Sequence, residues 1–196
     1  MIINIDKNNK ESIKYASSQV IKVINNGGIV ISPTDTVYGM LADSFNIDAV
    51  NRIYKIKERE KDKPLLILIK DIEYSEKFSY IKVPEIVKQN VPGELTFIMP
   101  LSESIKNNFL YLKSTVALRV PKDEYLEMIL KYTPPLVAPS ANPNGYGIIL
   151  DGDKLVSMYK NKVDLIINAG IIENKIPSTL YDCLENKVIR QGNVVL

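Results

Sequence analysis

Five short runs in this chain gather the residue types that grip phosphate and carboxylate oxygens. They are Pro33-Thr34-Asp35-Thr36-Val37-Tyr38-Gly39, then Lys57-Glu58-Arg59 with Lys63-Pro64-Leu65, then Thr115-Val116-Ala117-Leu118-Arg119-Val120-Pro121, then Pro139-Ser140-Ala141-Asn142, and last Pro177-Ser178-Thr179 with Arg190-Gln191-Gly192. Ser, Thr and Asn supply neutral hydrogen bonds, and Lys and Arg supply stronger, charge-assisted ones. The cations are unevenly chosen. Of 25 basic residues only Arg52, Arg59, Arg119 and Arg190 are arginine, and three of these four fall within the runs. Arg presents a planar fork that meets a carboxylate or phosphate through two bonds, which Lys cannot do. Taken singly, each run also has a plain structural reading. Thr34-Asp35-Thr36 could be a turn or helix cap, Lys57 and Arg59 could complement a helix C-terminus, Pro139 to Asn142 could be a simple turn, and Ser178-Thr179 could open a strand.

What the chain lacks narrows the chemistry further. It has no histidine and one cysteine, Cys183, so a Ser-His-Asp or Cys-His nucleophile pair is excluded, as are an intrachain disulfide and a Cys/His zinc site. Neither GxxxxGK[ST] nor GxGxxG occurs, so a bound nucleotide must be held in some other way. Catalysis must rest on Lys, Arg, hydroxyls, Asn, carboxylates, backbone groups or a metal ion, which favours reactions driven by positioning and electrostatics. The net charge of +2 is too small to argue nucleic-acid binding by itself. The longest apolar stretches, such as Leu65 to Ile69, are too short to span a bilayer. The first residues, Met-Ile-Ile-Asn-Ile-Asp, do not read as a secretory signal, so a cytoplasmic protein is expected.

Elements that could position the five runs can be read from periodicity. Ile13, Ala16, Val20, Val23 and Ile24 recur at helical spacing, which predicts a helix over 10–25 ended by Asn25-Asn26-Gly27-Gly28. A second helix is expected from an Asp48 cap through Val50, Ile53 and Tyr54, and further helices over 84–90, 123–132 and 153–159. Strands are expected at 29–31, 65–69, 95–99, 115–120, 136–138, 165–167, 179–182 and 188–189, with 32–36 as a loop. This intermixing predicts an α/β (α+β) chain, one domain over residues 1–196, with no internal repeat or linker. Ser, Thr and Arg at several strand ends would then meet in one crevice.

The ordered set PTDTVYG, KxR with KPL, TVALRVP, PSAN, PST and RQG resembles the YrdC family of threonylcarbamoyl-adenylate synthases, from about Gly27 to Gly192. The resemblance implies a twisted mixed sheet with flanking helices around a deep basic cleft. It implies an enzyme that joins L-threonine, bicarbonate and ATP, with Mg²⁺ on the phosphates and no protein-held metal site, into threonylcarbamoyl-AMP and pyrophosphate. The product would pass to a tRNA threonylcarbamoyl transferase that modifies adenosine 37. Carried over by position, Lys57, Arg59, Ser140 and Asn142 are the catalytic and phosphate-binding set, and Thr115 and Arg190 are further ATP contacts. Thr34, Lys63, Arg119 and Ser178 are the threonine contacts. Tyr38 could wall the pocket or equally serve in packing, and Asp35 could touch a metal or water.

This chain departs from the family at three places: Glu94 stands where relatives usually carry Pro, Lys63 where His or Asn is common, and Pro-Asn-Gly-Tyr-Gly-Ile follows Asn142 in place of a Ser/Thr-rich continuation. Two other readings compete with the synthase. One is a YrdC-like protein that binds RNA or ribosomes, since a basic cleft serves an RNA backbone as well as ATP. The other is a carbamoyl-transfer domain like that of hydrogenase-maturation proteins, whose chains are usually longer.

Overall fold

The structure is a computed structural model and describes residues 1–61, 63–109, 111–173 and 176–196. Its strands are β1 (Ile2–Asn4), β2 (Val30–Ser32), β3 (Gly39–Asp43), β4 (Leu66–Leu68), β5 (Leu95–Pro100), β6 (Thr115–Arg119), β7 (Leu136–Val137), β8 (Leu165–Asn168), β9 (Thr179–Asp182) and β10 (Lys187–Arg190). The helices are α1 (Lys10–Asn25), α2 (Ile47–Lys57), α3 (Glu85–Lys88), α4 (Glu103–Lys106), α5 (Glu124–Tyr132) and α6 (Gly152–Tyr159), with a 3-10 turn at Glu73–Lys77. All ten strands join one mixed sheet in the order β1-β8-β2-β3-β7-β4-β6-β5-β9-β10.

The two faces of the sheet bury separate cores, and the alternation of strand side chains decides which residue joins which. Val30, Leu41 and Leu165 pack with Ile13, Ala16, Val20 and Ile24 of α1 and with Tyr125, Leu126 and Ile129 of α5. Their neighbours Ile29, Ile31, Met40 and Ile166 point the other way, toward Val50 and Ile53 of α2 and Leu155 of α6. The helices begin where short polar side chains cap them. Asn9, Asn46, Asp123 and Asp151 each accept backbone N–H bonds from the first turn that follows. The cap of α2 is thus Asn46; Asp48, the expected cap, lies in the first turn, where its charge favours the dipole.

Two strands had no expectation from sequence. β1 is three residues long and pairs in parallel with β8, too short for alternation to register. β3 has the sequence Gly-Met-Leu-Ala-Asp, which is weak in β-formers, and it becomes a strand because β2 and β7 flank it on both sides. No helix among the described residues is long and apolar enough to cross a membrane.

Candidate active site

The site follows from the pairing of β4 with β6. These strands run parallel, with Leu66 beside Ala117 and Leu68 beside Arg119, so those four side chains share one face. Ala138, just past β7, joins them through its N–H bond to Leu66 O. This is the face covered elsewhere by α1 and α5. Past the edge of that cover the strands line a cavity of about 370 Å³, and Thr34, Arg59, Arg119, Ser140, Asn142, Ser178 and Arg190 all border it. Its described lining includes three arginines and no carboxylate.

Arg119 is almost wholly buried. Its guanidinium is held on three sides: Nε donates to Gly93 O at 3.1 Å, Nη1 to Thr36 Oγ1 at 2.9 Å, and Nη2 lies 2.7 Å from Asp35 Oδ2. Five N–H groups are available in arginine, so donors remain on both terminal nitrogens. Burial raises the Asp35 carboxyl above its ordinary value even though Arg119 pulls it down, and burial likewise lowers the Arg119 guanidinium. Desolvation therefore outweighs the attraction in this pair, and what the pair supplies is a fixed orientation. Asp35 also accepts from Lys122 N at 3.2 Å. It is the ion-pair partner of Arg119.

Around Arg119, Ser178 Oγ shares a 2.6 Å hydrogen bond with Thr96 Oγ1. Thr34 Oγ1 donates to Val37 O at 2.6 Å and accepts from the N–H groups of Thr36 and Val37, which fixes the tight loop between β2 and β3. Hydroxyls thus surround a buried arginine whose remaining N–H pair suits a carboxylate.

Arg59, Pro64, Ser140, Asn142 and Ile148 also border the cavity. Arg59 is positioned by Glu58, which ends α2 in the left-handed conformation, φ 52°, and by its own bonds from Nε and Nη2 to the carbonyls of Lys63 and Pro64. The Asn142 amide nitrogen donates to Pro143 O and Tyr146 O. That orients the side chain, whose buried Oδ1 has no hydrogen-bond partner. Lys57 lies behind this wall. Its ammonium, almost fully buried, donates to the carbonyls of Ser140 and Asn142.

Seven of the ten residues singled out in the sequence border the cavity; Lys57, Lys63 and Thr115 do not. Lys57 acts on the loop that carries Ser140 and Asn142. Lys63 turns outward to pair with Glu60 at 2.8 Å, while its carbonyl serves Arg59 and Tyr54. Thr115 starts β6 opposite Pro100. Arg190 borders the cavity and also donates twice to Ser178 O, at 3.3 and 2.8 Å. Tyr38 bonds Gly170 O and Ala169 N behind the site, which makes it a packing residue. The sequence reading missed Thr36 and Thr96. Thr36 sat inside a run already marked, and Thr96 lies mid-strand, where only the pairing of β5 with β9 brings it to Ser178. The lone Cys183 is half-buried, and burial pushes its thiol up to about 12, so it offers no thiolate near neutrality.

Burial, reinforced by the Arg59 charge, lowers the Lys57 amine to about 8. An amine whose folded pKa lies below its unfolded value of 10.5 opposes folding while it is charged in both states. That opposition is complete below pH 8 and fades as pH rises from 8 through 10.5. Lys57→Met leaves buried carbonyls without their donor, a loss of about 1–3 kcal/mol, and also removes the titration. The melting-temperature gap between parent and variant is therefore expected to widen from pH 8 toward 10. A constant gap would contradict a buried, titrating Lys57.

Comparison with known proteins places this arrangement. The sequence profile of the Sua5/YciO/YrdC family, described as telomere recombination, matches residues 22–192, and the chain belongs to that family. A protein of Methanocaldococcus jannaschii provisionally named threonylcarbamoyl-AMP synthase is 34% identical over 195 residues, 97% of this chain and 92% of its own. The threonylcarbamoyl-AMP synthase of Pyrococcus abyssi is 32% identical over 94% of this chain, which spans 55% of that protein. The crystal structure of P. abyssi Sua5 complexed with L-threonine superposes with a TM-score of 0.83 at 30% identity, over 99% of this chain and 58% of that one.

Proposed function

We propose that the chain is a threonylcarbamoyl-AMP synthase, using L-threonine, bicarbonate and ATP. The observation that carries this reading is the single cavity that Arg119, Ser178, Thr34, Arg59, Ser140 and Asn142 line together. Arg119 takes the threonine carboxylate on its remaining N–H groups, and Ser178 and Thr34 border the same substrate. The free amine attacks the carbon of bicarbonate, or of the CO₂ derived from it, and water is lost as the carbamate forms. A carbamate oxygen then displaces pyrophosphate from the α-phosphorus, giving threonylcarbamoyl-AMP. Arg59 offsets charge on the phosphates, and Ser140 and Asn142 hold the nucleotide.

Neither step needs an imidazole, since alignment of the reactants supplies much of the rate. Mg²⁺ enters with ATP as part of the substrate; the described residues include no group of three or more acidic, Cys or His side chains able to hold a metal. The product passes to a transferase acting on tRNA.

Purified protein with Mg-ATP and bicarbonate is expected to release pyrophosphate only when L-threonine is added. Threonine with ATP should raise the melting temperature more than serine with ATP. Absence of threonine-dependent release, together with tight binding of duplex RNA, would overturn the reading in favour of an RNA-binding role.

A further inference from the structure

The loop after Asn142 is fastened through its backbone and leaves the side chain at its tip open to solvent. Asn142 Nδ2 donates to the carbonyls of Pro143 and Tyr146 at 3.2 and 2.9 Å, and Asn144 N donates to Lys57 O at 3.0 Å. Two residues beyond Tyr146, Ile148 lines the cavity. Between these anchors the Tyr146 side chain is left 69% exposed. It stands between Gly145 and Gly147, and a Cβ at either would meet nothing within 4 Å. Gly145 has φ +78°, a conformation that favours glycine. The backbone is tethered beside the site at Tyr146 itself, whose N–H also donates to Pro143 O at 3.2 Å, while its side chain stays mostly exposed.

The walls of the cavity include the aliphatic groups of Pro64, Leu65, Leu66 and Ile148, and none of its described lining residues is aromatic. A purine presents two flat faces that stack well on an aromatic ring. We propose that Tyr146 is the stacking surface for the purine, its side chain swinging over the cavity about a backbone held by Asn142 and Pro143. This rests on the nucleotide reading given above. It adds a substrate-contacting residue in the segment where this chain departs from its family.

The chain contains no tryptophan, so Tyr146→Trp creates a single reporter at the tip. Its emission is expected to be quenched on titration with ATP and to be unchanged by inorganic tripolyphosphate. By calorimetry, Tyr146→Ala should bind ATP roughly tenfold more weakly, with the melting temperature unchanged, and Tyr146→Phe should restore parental affinity because the ring remains. Tyr132→Ala, at a residue 61% exposed and outside the cavity lining, is the control and should bind ATP as the parent does. Parental ATP affinity in Tyr146→Ala, or quenching by tripolyphosphate alone, overturns the stacking role while leaving the synthase reading intact. Failure of the unsubstituted protein to bind ATP removes both together.

Discussion

Arg119→Lys is expected to raise the threonine concentration needed for half-maximal pyrophosphate release by roughly 10- to 100-fold, with little change for ATP. A charge-assisted hydrogen bond contributes about 1.5–3 kcal/mol, and lysine replaces a planar pair of donors with a single point of charge. Lysine is chosen over alanine because Asp35 is buried against the guanidinium at 2.7 Å. Removing the cation entirely would strand a buried carboxylate, at a cost of about 3–5 kcal/mol, and mix misfolding with lost recognition.

The double variant Arg119→Met with Asp35→Asn separates the two effects from the other side. Neutralising both partners is expected to lower the melting temperature less than Arg119→Met alone, the residual loss reflecting the Gly93 O and Thr36 Oγ1 acceptors left without a donor, and still to abolish threonine-dependent release. Equal changes in the ATP and threonine requirements for Arg119→Lys would show that Arg119 does not hold the amino acid.

Gly192→Ala is the second large effect, although no side chain is lost. A Cβ at Gly192 would lie 2.4 Å from Pro177 O and 2.5 Å from Thr179 N, against backbone that cannot swing aside. Gly192 N also donates to Thr179 Oγ1 at 2.9 Å, and Arg190 grips Ser178 O. The segment after β10 therefore clamps the loop that carries Ser178. Overpacking there should destabilise by about 1–3 kcal/mol. A shift of about 1 Å at Ser178 should lower activity with threonine by roughly a hundredfold. Steady-state kinetics and thermal melts on the same preparation test this. Parental threonine kinetics in Gly192→Ala would mean that the clamp does not set the position of Ser178.

Much of the site was legible because its chemistry is written in residue types. Arginine is scarce in this chain, so Arg59, Arg119 and Arg190 stood out, and all three border the cavity. The long amphipathic helices were legible for a similar reason: Ile13, Ala16, Val20 and Ile24 keep helical spacing over several turns, and each is buried. β3 was not, because Gly-Met-Leu-Ala-Asp carries no local preference strong enough to show before two neighbours pair with it. Lys57 illustrates the same limit within the site. Its position beside Arg59 suggested a cation for phosphate, yet the end of α2 directs it inward to two carbonyls.

From the sequence alone came the family likeness, the mixed α/β class, the exclusion of Ser-His-Asp and Cys-His nucleophile pairs, and a set of polar groups of suitable type. Those are properties of composition and short-range order, fixed before any segment meets another. Which groups face a ligand was decided only when β4, β6 and β9 took their places in the sheet. That pairing turns Arg119, Ala117 and Leu66 to one face and brings Ser178 beside Thr96. It also sets Asp35 against the guanidinium. The direction of a side chain depends on register and on what is buried behind it, and both are settled by contacts between residues far apart in the chain.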